Sequence, residues 1–158
     1  MAYALFPFAV LTLLLGVLYQ SRQQNEQVPG AGPLALAEQM ARVQTTQAQV
    51  YAAACRETAV RNASVVSPDW PVPLPAGVLP VAGARCETTA AGNGRMVVAS
   101  MPDAPGVASG LMAALGASAT WSRVDAEGQA VVLANAQRIS VPTDVPIGSL
   151  VYQIRVSP

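Results

Sequence analysis

Residues 34–61 read LALAEQMARVQTTQAQVYAAACRETAVR, and this stretch decides the fold of the chain. Alanine and glutamine are frequent in it, and both residue types favour helix. A stripe of mostly apolar residues recurs at spacings of four and three, which is the period of one helix face. The residues of this predicted stripe are Leu36, Met40, Val43, Gln47, Val50 and Ala54. The stretch therefore predicts one long amphipathic helix.

The two faces of the predicted helix have different expected roles. We expect the predicted stripe to pack against a sheet of the same domain, which is the usual arrangement of an amphipathic helix. The alternative is that this stripe binds a partner helix in an assembly. The opposite, polar face carries Glu38, Arg42, Thr45, Gln49 and Arg56, and all of these except Thr45 form the candidate partner surface. Trp70, in the proline-rich segment that follows the helix, belongs to the same candidate surface.

The chain has two cysteines, Cys55 near the end of the predicted helix and Cys86 beyond the proline-rich segment. They are too far apart for a CxxC redox motif, and without histidine they cannot build a tetrahedral zinc site. A disulfide between them is the natural use, and it indicates an oxidising compartment such as the bacterial periplasm. The alternative is a pair of free, buried cysteines in a cytosolic protein.

Before the helix, residues 3–19 read YALFPFAVLTLLLGVLY and contain no charged side chain. A helix needs about 20 apolar residues to cross a bilayer, and aromatic residues favour both of its interfaces. We therefore expect a transmembrane anchor at residues 1–20. A polar linker at 21–33, broken by prolines and glycines, would join it to one domain at 34–158.

Other interpretations of the N-terminal segment fit the sequence less well. A cleaved signal peptide would begin with basic residues and end at an Ala-x-Ala site, and neither is present. A lipoprotein would need a cysteine just after the apolar run, whereas the first cysteine is Cys55. By the positive-inside rule, Arg22 just after the anchor would mildly favour a cytoplasmic domain. A single arginine decides little, so we assign the orientation from the cysteines, which favour the periplasm.

After the helix, the sequence alternates turn signals with short strand patterns. Prolines between residues 68 and 80 forbid regular structure there. Glycine and asparagine mark a turn at 91–94, and a second turn at 125–128 ends in glycine. The predicted strands are a region near Cys86, then 95–101, 119–124, 130–136 and 149–156, with a helix at 105–115 capped by Gly116. The fold class is therefore α+β, with a long helix packed on a mostly antiparallel sheet.

Composition argues against several classes of function. All nine basic residues are arginine, and histidine and lysine are absent, which removes the usual acid–base, Schiff-base and phosphate-binding groups. The net charge is zero, so nothing indicates a nucleic-acid partner. The carboxylates are scattered without a paired spacing. We expect no enzyme activity, no metal site and no cofactor.

The order of segments along nearly the whole chain resembles the PilM family of type IV (conjugative thin) pilus biogenesis proteins, and two segments carry its motifs. They are Pro105-Gly-Val-Ala-Ser-Gly-Leu111 and Gly148-Ser-Leu-Val-Tyr152. The resemblance implies a bitopic inner-membrane protein with a pilin-like domain in the periplasm, binding other pilus assembly or inner-membrane proteins, with oligomers possible. The family pattern carries no catalytic residues, and the cysteine pair lies outside it.

Two other functions remain open. A membrane-anchored periplasmic sensing module would show a deep polar pocket, whereas an assembly component would show an apolar or arginine-rich partner surface. A minor pilin would carry a basic leader and a glutamate at the fifth mature position, but no glutamate occurs before Glu26.

Overall fold

The structure, a computed structural model, describes residues 32–63, 65–116 and 118–157. The chain divides into two compact units, residues 1–40 and residues 41–158. The second unit contains all the strands found among the described residues, and it is the domain described below. The predicted boundaries at residues 20 and 33 remain predictions.

The described residues form two helices and six strands. Helix α1 is Pro33–Arg61 and helix α2 is Val107–Leu115. The strands are β1 Arg85–Ala91, β2 Gly94–Pro102, β3 Trp121–Ala126, β4 Gln129–Val132, β5 Arg138–Ser140 and β6 Ser149–Val156. The predicted helix at 105–115 is confirmed as α2, and Gly116 caps it by donating its backbone N–H to the Met112 carbonyl.

All six strands belong to one sheet in the order β1-β2-β6-β3-β4-β5, and every neighbouring pair is antiparallel. The last strand of the chain therefore lies inside the sheet. β6 pairs with β2 over eight residues, Arg95–Pro102 against Ser149–Val156, and pairs with β3 on its other side. β6 lies between the β1–β2 pair and the three strands β3–β5. These two parts of the sheet are therefore connected only after β6 has paired with both.

Each face of the sheet has its own apolar core. Side chains alternate between the faces along a strand, so neighbouring residues of β2 enter different cores. On one face Val97, Ala99 and Met101 join the buried side of α1, Leu111 of α2 and Trp121. On the other face Val98 joins a smaller cluster. The loop at residues 141–148 covers this cluster with Val141 and Val145. The members of this smaller cluster are Val98, Val124, Ala130, Val141, Val145 and Val151.

The predicted fold class, which placed an N-terminal transmembrane helix before a pilin-like domain, was wrong. Of the helices among the described residues, α1 and α2, neither is long and apolar enough to cross a membrane. Charged and amide side chains occur along α1, and α2 has only nine residues. The segment Tyr3–Tyr19, on which the anchor was predicted, lies outside the described residues.

The predicted inward face of the long helix was also wrong. Leu36, Met40 and Val43 of the predicted stripe are exposed, and Val50 is only half-buried. The buried residues are mostly small ones: Thr45, Ala48, Tyr51, Ala52, Cys55, Thr58 and Ala59. At about 100° per residue, this face lies roughly 110° around the helix from the predicted stripe.

Two details of the sheet differ from the predictions. The return strand expected at 130–136 ends at Val132, where the chain turns. A further strand, β5, follows it and pairs with β4 at the edge of the sheet. It was not predicted because three residues, Arg138–Ser140, are too few to show an alternating pattern.

Candidate functional site

The inner side of α1 is fixed to the sheet by a disulfide. Cys55 and Cys86 are bonded, with their Cα atoms 5.7 Å apart, which confirms the predicted pair. Both cysteines are fully buried. The small side chains of Ala48, Ala52 and Ala59 lie on the same face as Cys55, and they allow the helix to approach the strands closely.

The C-terminal end of α1 is fixed by a buried arginine. Arg95, at the start of β2, is 6% exposed. Its guanidinium donates hydrogen bonds of 2.9 Å to the carbonyl oxygens of Ala59, Asn62 and Val65. These carbonyls belong to the last turn of the helix and the residues after it, where a cation is also favoured by the helix dipole.

The proline-rich segment is held against the outer edge of β1. The Trp70 backbone N–H donates to the Cys86 carbonyl at 2.7 Å, and the Thr88 N–H donates to the Ser67 carbonyl at 2.8 Å. The Trp70 indole N–H donates to the Thr88 hydroxyl at 3.1 Å. The edge of the sheet is therefore covered here, and the segment is placed along the outer side of α1.

A groove runs between the outer side of α1 and the proline-rich segment. We call it the α1 groove. It consists of two adjoining hollows of about 370 and 380 Å³ that share Val50. Its lining includes Val43, Gln47, Val50 and Ala54 of α1 together with Pro73, Leu74, Pro75, Gly77 and Val78. Val43 is 55% exposed at this groove, so a large apolar side chain is open to a partner.

Four of the five predicted partner-surface residues are not among those that line the α1 groove. Glu38, Arg42 and Arg56 are exposed, with Glu38 in the first unit, and Gln49 is half-buried. Trp70 is half-buried and packs against the helix-side core. Of these five residues, Arg42 also lines the α1 groove.

The apolar residues of the groove were missed because we assigned them to the core. Cys55 carried the signal that could have corrected this. Once its disulfide is expected, the residues three and four positions away along the helix must face inward with it. Those residues are Tyr51, Ala52, Thr58 and Ala59, with Ala48 seven positions before Cys55 on the same face, and this places Val43 and Val50 outside that buried face.

A second concave site, the polar cleft, lies where β1 and β6 begin and β2 ends. It has a volume of about 340 Å³ and is lined by Arg85, Ser100, Met101, Asp103, Asp144 and Ile147, among others. Arg85 forms an ion pair with Asp144 at 2.8 Å. The nitrogen Nε of Arg123 lies 3.4 Å from Oδ2 of Asp103.

Glu87 lies next to the residues of this cleft. Burial raises the pKa of its carboxyl, the charge of Asp144 raises it further, and Arg85 acts in the opposite direction. The residue is 7% exposed, and its Oε1 atom has no hydrogen-bond partner among the described residues. In the same part of the chain, no three His, Cys, Asp or Glu side chains are grouped to hold a metal ion.

No family model matches the chain, and no curated protein is significantly similar to it. Among solved structures, it is similar to the crystal structure of a protein described as PilM from Escherichia coli B7A. The two share 19% sequence identity with a TM-score of 0.46, over 74% of this chain and 94% of that chain. A similarity this weak leaves the function to be argued from the residues themselves.

Proposed function

We propose that this protein is a component of a type IV pilus assembly apparatus that acts through protein–protein contacts and not as an enzyme. The residues that resemble the PilM family support the proposal. Gly106 and Gly148, one in each matching segment, both have φ of 85°. Glycine adopts this left-handed conformation far more readily than other residues. The backbone therefore explains why a glycine precedes α2 and another precedes β6.

The observation that carries the proposal is the α1 groove. Val43, Gln47, Val50 and Ala54 follow spacings of four, three and four, which is the repeat with which one helix packs along another. The disulfide and Arg95 hold this part of α1 in place. We therefore propose a helix of another pilus assembly protein as the occupant of the groove.

The compartment we propose is the bacterial periplasm. A buried disulfide forms and persists in an oxidising environment, and the periplasm is one. A pilus assembly component with its domain there would reach partners on the outer side of the inner membrane. No cofactor is part of the proposal.

A periplasmic sensing module is the second candidate. The polar cleft favours it, because charged side chains converge on a cavity whose volume falls within the usual range of small-ligand sites, about 300–1,000 Å³. The two candidates make separate predictions, since the α1 groove and the polar cleft share no lining residue.

The pilus proposal is tested by affinity capture of the tagged full chain from its native host. Val43→Asp places a charge in the groove, and we expect it to remove pilus assembly proteins from the captured fraction. Val60→Asp is the matched control, because Val60 lies on the same helix with a similar exposure of 54% but does not line the groove. Capture of the same pilus proteins by Val43→Asp and by wild type would contradict the proposal.

A further inference from the structure

Five of the six strands pair only with strands that are close to them in sequence, apart from their contacts with β6. β1 and β2 form a hairpin over residues 85–102, and β3, β4 and β5 follow one another as antiparallel neighbours over residues 121–140. In both parts, paired residues lie within about fifteen positions of each other, so closing these loops costs little conformational entropy. Each part can therefore begin to form by itself.

β6 differs from the other strands because both of its neighbours are distant in sequence. Its residues lie about fifty to sixty positions after their partners on β2 and about thirty after those on β3, and longer loops cost more entropy to close. β6 also supplies a fully buried side chain to each core, Leu150 on one face and Val151 on the other. Its pairing is therefore the most costly in entropy, and it joins the two parts.

The part made of α1, β1 and β2 has bonds of its own that do not involve β6. The disulfide of Cys55 and Cys86 joins α1 to β1, and without a reductant it also keeps them close in the unfolded chain. Arg95 of β2 donates to carbonyls at the end of α1 and just beyond it. Val97 of β2 belongs to the same buried cluster as both cysteines. These contacts can form before β6 is in place.

We propose that β6 is the locking strand of the domain: α1, β1 and β2 form the folding nucleus, and β6 enters between β2 and β3 after the transition state. The domain is then completed only when residues 149–156 have reached the compartment in which it folds. Until that moment one edge of β2, Gly94–Pro102, is open to pairing with other strands. The proposal does not depend on the pilus function.

The test compares folding and unfolding rates in urea, using the full chain with its disulfide intact and a constant concentration of zwitterionic detergent. Val97→Ala on β2 and Val151→Ala on β6 remove the same two methyl groups from positions that are 0% exposed. Removing a contact of the transition state slows folding, whereas removing a later contact speeds unfolding. We expect Val97→Ala to slow folding about threefold or more, and Val151→Ala to speed unfolding about tenfold with folding within about twofold of wild type.

The disulfide provides a second readout. The double variant Cys55→Ala with Cys86→Ala should slow folding about tenfold or more and change unfolding little, because the linked residues are already close in the transition state. If Val151→Ala does not fold, Ile154→Ala takes its place, since Ile154 is only half-buried on β6. The proposal is wrong if the β6 variant slows folding as much as Val97→Ala does, or if loss of the disulfide mainly speeds unfolding.

Discussion

At the scale of single residues, Arg95 illustrates how a buried charge can be held without a carboxylate. Two nitrogens of its guanidinium donate to three main-chain carbonyls where α1 ends and just beyond it, while its buried Nε has no partner among the described residues. Arginine suits this position because its planar group presents several donors in a fixed arrangement. Lysine would offer a single ammonium group to three acceptors that lie in different directions.

Arg95→Met should destabilise the domain by about 2–4 kcal/mol, since it removes three hydrogen bonds from a charged donor and leaves the buried Ala59 carbonyl without that donor. Arg95→Lys should recover part of that loss. Arg56→Met, on the exposed side of α1, is the control and should stay within about 0.5 kcal/mol of wild type. Urea unfolding measures all three. An Arg95→Met variant as stable as the Arg56 control would show that the cap contributes nothing.

Glu87 gives a prediction about pH. Its pKa is raised above the ordinary value near 4.5, so the folded chain keeps this proton to a higher pH than the unfolded chain does. Ionisation of Glu87 therefore removes stability as the pH rises through the folded pKa. Glu87→Gln should melt at a higher temperature than wild type at pH 7, and the difference should shrink below pH 4.5. A lower melting temperature at pH 7 would contradict this.

At the scale of the elements, α1 and α2 depend on small residues where they meet. A Cβ atom added at Gly110 would overlap the Thr45 hydroxyl. Alanine normally favours a helix over glycine by about 1 kcal/mol, but the overlap should outweigh this. Gly110→Ala should therefore destabilise the domain by about 1–2 kcal/mol.

A double-mutant cycle checks this contact. In the Thr45→Ala background, Gly110→Ala should become neutral or stabilising, because the hydroxyl and methyl groups that it meets are gone. Thermal melts of the wild type, both single variants and the double variant measure the coupling. Equal effects of Gly110→Ala in both backgrounds would mean that the two residues do not interact.

The assignment of the α1 faces makes a further prediction. Ala52 is 2% exposed on the inner face, and Val43 is exposed on the outer one. Ala52→Asp should unfold the domain, because it buries a charge without a partner. Val43→Asp should melt within a few degrees of wild type. Circular dichroism against temperature compares the two, and unfolding of Val43→Asp would restore the predicted inward stripe.

Local signals in the sequence were sufficient for some of these elements. Gly116 marked the end of α2, the alternation after Leu150 marked β6, and the two cysteines indicated their own bond. The inner face of α1 could not be predicted from hydrophobicity, because it consists largely of alanine, threonine and cysteine. The burial of Arg95 and Glu87 depends on strand register and loop packing, and no local pattern encodes either.

At the scale of the whole molecule, the disulfide joins α1 to the sheet across 31 positions of sequence. In the chain-entropy model, closing a loop of this length contributes about 3–4 kcal/mol. The double variant Cys55→Ala with Cys86→Ala should lose about that much in urea unfolding. A loss below about 1 kcal/mol would mean that the packing of α1 holds the two parts together without the bond.

The same bond reports on the compartment. In cells lysed under denaturing conditions without a reductant, we expect no thiol of Cys55 or Cys86 to react with a maleimide reagent. Reduction before labelling provides the positive control. Full labelling of both cysteines without reduction would place the domain in a reducing compartment and contradict the periplasmic proposal.

The most direct test of the account is the number of pili on host cells whose chromosomal copy carries Val43→Asp. The central claim is that the outer face of α1 acts by binding a pilus assembly protein. The account predicts that Val43→Asp cells contain the folded protein at normal levels but carry few or no pili by electron microscopy, whereas Val60→Asp cells are fully piliated. Normal piliation of the Val43→Asp cells would contradict it.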